Sequence, residues 1–181
     1  MGQFNAKGFI LGMLMLPLLA ACNDMSQSQI PSNPSNPLTE GVANMLTVYK
    51  SPSCGCCTKW LSHVNAEGLE TSTKHPANLD EIKDHFNIST NLRSCHTAVS
   101  TQGFVFEGHI PARYIQQFLA NPPAGGVGLA VPAMPLGSPG MEVGNKFMPY
   151  DIVLLNSDGS TQVYASIKTA AQQFQQSEQP D

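Results

Sequence analysis

The chain has 181 residues and a formal net charge of −4 at pH 7, and only 12% of its residues are charged. It carries no basic stripe, which argues against nucleic acid as a partner. Once the polar, Pro-rich ends are set aside, about 125 residues remain, enough for one domain.

In chain order, Lys7 is followed by the apolar run GFILGMLMLPLLAAC. That run falls short of the about 20 apolar residues that cross a bilayer, and it suits the apolar region of an export signal. Its end, Leu19–Cys22 (LAAC), resembles the lipobox of bacterial lipoproteins. The resemblance implies cleavage before Cys22, with residues 1–21 as the signal and Cys22 as the lipid-bearing N-terminus. Several acyl chains on one residue anchor a protein stably to a membrane. Asn23 rather than Asp follows, which favours the outer membrane. Residues 22–43 are rich in Ser, Asn, Gln and Pro and read as a disordered tether, because they cannot bury enough surface to offset their ordering entropy. A domain over 44–168 and a polar tail over 169–181 complete the expected organisation.

Within the domain, MLTVYK (45–50) reads as a short buried strand, broken by Ser51 and Pro52. A helix then runs from the cysteine cluster to about Ala66, with Cys57, Trp60, Leu61 and Val64 facing the core. LETSTKH reads as a second strand. Asn78 to Glu81 resembles a capping box that opens another helix, whose inner face is Leu79, Ile82 and Phe86. TAVSTQGFVFEGHI reads as an extended pair broken at Gly103, and Pro111 starts a helix with Ile115, Phe118 and Leu119 inward. Residues 124–150 read as a long Gly/Pro-rich loop. DIVLLN and TQVYASI flank Ser157-Asp158-Gly159 as a hairpin. This succession predicts an α/β, thioredoxin-like single domain with a Pro/Gly-rich insertion loop, preceded by a signal peptide and a flexible tether.

Cys54, Cys56 and Cys57 fall within four positions at a helix start, where orphan N–H groups and the helix dipole favour a thiolate. Cys54 and Cys57 are spaced like a redox couple, so the pair is the catalytic candidate for a thiol–disulfide or copper oxidoreductase. Cys56 does not belong to that scheme. An exported protein also has no reason to keep idle thiols in an oxidising compartment, unless they form structural disulfides. With Cys95 as a fourth thiol, tetrahedral zinc is an option, yet zinc sites normally use two separated pairs. Crowded soft thiolates point to Cu(I). Met134 and Met141 in the loop add soft thioethers, with Met148 beyond them, and His96 and His109 offer imidazoles beside the thiols or in a turn. His63 shares a helical stripe with Cys56, whereas His75 and His85 read as surface groups.

The segments YKSPSCGCCTKW, SCHTAV, FVFEGHIPA and GLAVPAMPLGSPGME, in this order, resemble a family of small periplasmic metal-binding proteins. That family was long known as a domain of unknown function, is linked to copper resistance and includes the CopG-type proteins. The resemblance covers about residues 46–166. It implies a thioredoxin-like domain that binds copper, chiefly Cu(I), with several ions sharing bridging thiolates. Carried over, the metal ligands are Cys54, Cys56 and Cys57 from C-G-C-C, Cys95 and His96 from C-H-T, His109 from G-H-x-P-A, and Met134 and Met141 from the Met-Pro loop. Val131-Pro132 resembles the proline dipeptide that faces the cysteines in thioredoxin-like folds. The expected role is copper tolerance in the periplasm, on a membrane through Cys22, with copper ions and other periplasmic copper proteins as partners.

Overall fold

The computed structural model describes residues 45–174. The expected signal, Cys22, the tether and the end of the tail from 175 onward lie outside the described residues. The elements are β1 (Met45–Lys50), α1 (Gly55–Ala66), β2 (Glu70–Lys74), α2 (Leu79–His85), β3 (His96–Ser100), β4 (Val105–Glu107), α3 (Ala112–Ala120), β5 (Gly126–Ala130), β6 (Tyr150–Asn156) and β7 (Thr161–Ile167). Short 3-10 turns at Thr90–Leu92 and Ala170–Gln173 complete them.

All seven strands form one mixed sheet in the order β2-β1-β3-β4-β5-β6-β7. The β1/β2 and β4/β5 pairs are parallel and the other pairs antiparallel. Side chains alternate between faces along a strand. Leu46 and Val48 of β1, Phe106 of β4 and Leu129 of β5 join Trp60 and Val64 of α1 and Ile115 and Phe118 of α3 in the main core. Each such fully buried large side chain contributes roughly 1.5–3 kcal/mol. Trp60 also donates its indole N–H to the Ile110 carbonyl at 2.8 Å, so its one polar atom is satisfied in the core. Val105, Ala130 and Leu155 point to the opposite face and pack with Ile88 and Leu92.

Three expectations change. The inner face of α2 is centred on a charged residue. Lys83 is its buried residue, while Leu79, Ile82 and Phe86 are only half-buried. Lys83 completes the i, i+3, i+4, i+7 stripe with those three, and the reason it can turn inward is the carboxylate of Glu107 waiting there.

The second change is β5, a strand inside the stretch expected to be loop. Its sequence, GVGLA, has little β propensity, so composition hides it. The register supplies the reason for the glycine. A Cβ on Gly128 would lie 1.9 Å from the Val105 carbonyl oxygen, so β4 and β5 approach only because that position has none. Much of the remaining loop is also buried: Pro135 and Gly137 to Gly140 are covered.

Third, the expected polar tail begins later than 169. Thr169 caps the turn Ala170–Gln173, and Gln173 is buried, accepting from the Tyr150 hydroxyl at 2.8 Å and donating to the Gly137 carbonyl at 3.0 Å. A glutamine is buried here because the covered loop leaves it both a donor and an acceptor to satisfy.

Gly128→Ala should therefore lower stability by about 3 kcal/mol, the upper end for forcing extra atoms into a packed site. Urea denaturation followed by circular dichroism measures it. An unshifted midpoint would mean that the β4–β5 pairing does not need the missing side chain.

Candidate metal centre

One end of the sheet collects the functional side chains. Lys50, the last residue of β1, pairs with His96, the first of the antiparallel β3. The chain leaving β1 reaches α1 and its cysteines within four residues, and the chain entering β3 brings Cys95. β4 runs back antiparallel to β3, so Glu107, Gly108 and His109 emerge at the same end. β5 is parallel to β4, and the Pro/Gly-rich segment leaves from there as well.

Cys54 is the N-cap of α1. Its backbone is extended, with φ −73° and ψ 97°, and its Sγ accepts from the Cys57 amide at 3.3 Å. Cys54 and Cys57 are joined by a disulfide with Cα atoms 5.4 Å apart, while Cys56 and Cys95 are free. The four sulfurs crowd together. Cys56 Sγ lies 3.5 Å from Cys54 Sγ and 3.9 Å from Cys95 Sγ, and Cys57 Sγ lies 3.4 Å from Cys95 Sγ. Cys57 is buried under the start of the helix, whereas the other three are half-exposed.

Cys95 also belongs to a second group with two imidazoles. Its Sγ is 2.9 Å from His109 Nε2 and 3.4 Å from His96 Nδ1. His109 Nδ1 lies 2.8 Å from the Pro139 carbonyl, which can only accept. Nδ1 therefore carries the proton, and Nε2 turns its lone pair to the sulfur. His96 is fully buried, tilted against Trp60 with ring centroids 4.3 Å apart and edge-on to His109 at 5.0 Å. Its Nε2 has no hydrogen-bond partner among the described residues. Both donor groups have their ligand atoms within 4.8 Å of one another.

The electrostatics keep this cluster neutral. Burial lowers the pKa of His96 well below its ordinary value, and His109 and Lys83 push it the same way. Burial also lowers His109, against the Pro139 bond and Glu142. The Cys95 thiol is pushed up to about 12, first by burial and then by Cys56. Neutral imidazoles and a protonated thiol bonded to one of them leave no isolated charge in the pocket. A soft cation would displace the thiol proton and meet two neutral nitrogens, so the donor set suits a thiolate-seeking metal.

The structure thus brings together Cys54, Cys56, Cys57, Cys95, His96 and His109. Met134 is 49% exposed, and Met141 is half-buried in the turn closed by its amide bond to Ser138 at 2.8 Å. The segment of Ser94 and Cys95, just before β3, meets Cys57, and Val131-Pro132 leaves β5 at the same end, its Val131 oxygen beside Gly108. His63 has a structural task. Its Nε2 accepts the Ala112 amide at 3.0 Å and so caps α3, whose N-cap Pro111 has no side-chain cap of its own. His75 bonds the Lys50 carbonyl at 2.9 Å, and His85 packs on Phe86.

Two residues escaped the sequence reading. Lys83 and Glu107, 3% and 0% exposed, form an ion pair beneath the Cys95 segment. The signal was a lysine on an apolar helical stripe and a glutamate inside the apolar run FVFEGHI.

Comparison with known proteins agrees with this picture. A family model described as "Protein of unknown function, DUF411" matches residues 92–141, which contain Cys95, His96, His109, Met134 and Met141. No curated protein matches. Two solved structures, titled "Copper resistance protein copG- Form 1" and "Form 2", match with 36% sequence identity and a TM-score of 0.64. Each match covers 68% of this chain, and 96% and 97% of the respective structure. The chain belongs to the CopG-type copper-resistance family. The fold shared with CopG is therefore a mixed α/β domain, and a cysteine cluster of this kind fits copper binding.

Depressed histidine pKa values fix the sign of a pH effect. His63, His96 and His109 are all lowered by burial, so the unfolded chain takes up protons first as pH falls. Their stabilisation is complete above the unfolded value of 6.5 and declines as pH drops below it. Metal-free protein should melt at progressively lower temperature from pH 6.5 to about 5, the range in which a free imidazole charges, and His63→Gln should flatten part of that slope. A flat profile in the wild type would contradict the burial assigned to these rings.

Proposed function

We propose that this protein binds copper, chiefly Cu(I), through Cys54, Cys56, Cys57 and Cys95, and contributes to copper resistance in the periplasm. The observation that carries the reading is the convergence of four sulfurs within 4.8 Å. Thiolates so close share soft cations by bridging, so the reading includes more than one copper ion per chain. His96 and His109 complete the donor set on the Cys95 side, and Met134 and Met141 supply thioethers at its approach. The topology supports a thioredoxin-like core, made of β1-α1-β2-α2-β3-β4-α3 with strand order β2-β1-β3-β4 and extended by β5 to β7. Cys22 would tether the domain to a membrane, the outer membrane by the residue after it, where other periplasmic copper proteins are the partners to expect.

A second reading is thiol–disulfide or copper-linked electron exchange by Cys54 and Cys57, the two sulfurs joined in a disulfide. The two uses compete, because a sulfur held in a disulfide is no longer a thiolate ligand. Reduced protein titrated with Cu(I) against a chromophoric chelator should take up more than one ion per chain. X-ray absorption should show a sulfur-dominated shell, and serine at any of the four cysteines should lower uptake. Failure to compete with the chelator would sink copper binding. Equal disulfide-reductase activity in Cys54→Ser and wild type would sink the exchange reading.

A further inference from the structure

Beneath the metal centre lies a polar network that touches no candidate ligand by a side-chain bond. Thr97 and Glu107 are direct partners across β3 and β4, so their side chains share a face. Glu107 Oε2 accepts the Thr97 hydroxyl at 2.6 Å. Glu107 Oε1 accepts from the Lys83 ammonium and from the backbone amide of Ser94, the latter at 2.6 Å. Lys83 Nζ also donates to Thr97 Oγ1 at 3.1 Å. The side chains of Lys83 and Glu107 are 3% and 0% exposed.

Such a pair is a poor way to gain stability. Desolvating both charges costs several kcal/mol each, and well-packed apolar residues of similar volume are often as stable or more so. Its value here is positional. The carboxylate reaches from the end of β4 and fixes the amide of Ser94, the residue directly before Cys95. The same residue is held from the other side. The Ser94 hydroxyl donates to the Ala133 carbonyl, and Ser94 packs over Gly108, where a Cβ would stand 2.7 Å from Ser94 Cβ and 2.5 Å from the Val131 oxygen. Gly108, at φ +80°, leads directly into His109. One carboxylate therefore lies between the peptide bearing Cys95 and the turn bearing His109, whose Nε2 meets the Cys95 Sγ at 2.9 Å.

We propose that Glu107 is a positioning residue of the metal centre: held in place by Lys83 and Thr97, its carboxyl oxygen accepts the Ser94 amide and so sets Cys95 Sγ against Cys56, Cys57 and His109. The proposal rests on the copper reading above, with Cys95 as a ligand. Outer residues that orient a ligand typically change metal affinity by about 10–100-fold when lost.

The test uses reduced full-length protein and Cu(I) with a chromophoric competitor. The double variant Lys83→Met/Glu107→Leu removes the pair and the clamp together. It should melt at the wild-type temperature or above, yet bind Cu(I) about 10–100-fold more weakly, with an altered copper-edge spectrum. The double variant Lys83→Met/Glu107→Gln removes both charges but keeps an acceptor for the Ser94 amide, and it should recover most of the affinity and the spectrum. Wild-type affinity in a folded Glu107→Leu double variant, or equal losses in both double variants, would overturn the proposal. Amide hydrogen exchange on the metal-free wild type gives a readout that needs no variant. The Ser94 amide should be protected before copper is added, and exchange at the rate of an open loop would also overturn the clamp. Cys95→Ala separates the two readings. Undiminished binding there sinks the ligand role and the clamp alike, whereas loss there with full retention in the Glu107→Leu double variant sinks the clamp alone.

Discussion

The register between β1 and β3 is the constraint on which the metal centre depends. With Lys50 opposite His96, the turn after β1 and the segment before β3 leave the sheet side by side. Cys57 and Cys95 are 38 residues apart in sequence yet in contact. A slip of one residue would turn His96 away from Trp60 and exchange every inward side chain of β3 for an outward one. The register is held by burial on both faces. Leu46, Val48 and Ala98 belong to the main core, while Thr97 on the other face is engaged by Glu107. The site is built at the ends of strands whose interiors cannot move, which is how loop residues acquire fixed positions.

The same geometry explains why the donors differ in burial. Cys57 falls on the inner stripe of α1 with Trp60 and Val64, so it is shielded, while Cys54 at the N-cap and Cys56 on the first turn stay near solvent. Cys95 and His109 meet under the Pro/Gly-rich segment, whose Pro139 carbonyl selects the histidine tautomer. That segment thus acts on the histidine through a backbone carbonyl.

Much of this was legible in the sequence because it rests on local rules. The period-2 and period-3.6 patterns placed six strands and three helices, and the cysteine cluster announced its helix start. What was illegible rests on tertiary contact. β5 is defined by a missing Cβ at Gly128, and a glycine in a Gly/Pro-rich stretch reads as loop until its neighbour, Val105, is known. Lys83 shows no role until Glu107 is placed opposite, and Gln173 reads as tail until Tyr150 and Gly137 are beside it. His63 reads as a member of the Cys56 stripe, and only the approach of α3 shows that its ring caps Ala112. Pairwise partners far apart in sequence are the common element in each case.

One bond decides how many thiolates this arrangement can offer. With Cys54 and Cys57 joined, the free sulfurs are Cys56 and Cys95, 3.9 Å apart, beside two imidazoles. Opening the disulfide adds two sulfurs that already lie with Cys56 and Cys95 in one group whose ligand atoms are within 4.8 Å of one another. A mixed S/N donor set and a four-sulfur set therefore occupy nearly the same volume. Borderline cations accept the first, and the second selects strongly for a soft monovalent ion. Cys95 is common to both sets, its Sγ 3.4 Å from Cys57 Sγ, 3.9 Å from Cys56 Sγ and 2.9 Å from His109 Nε2. Cys56, for which a simple redox couple has no use, adds a second contact between the helix-start cysteines and Cys95, its Sγ lying 3.5 Å from Cys54 Sγ and 3.9 Å from Cys95 Sγ.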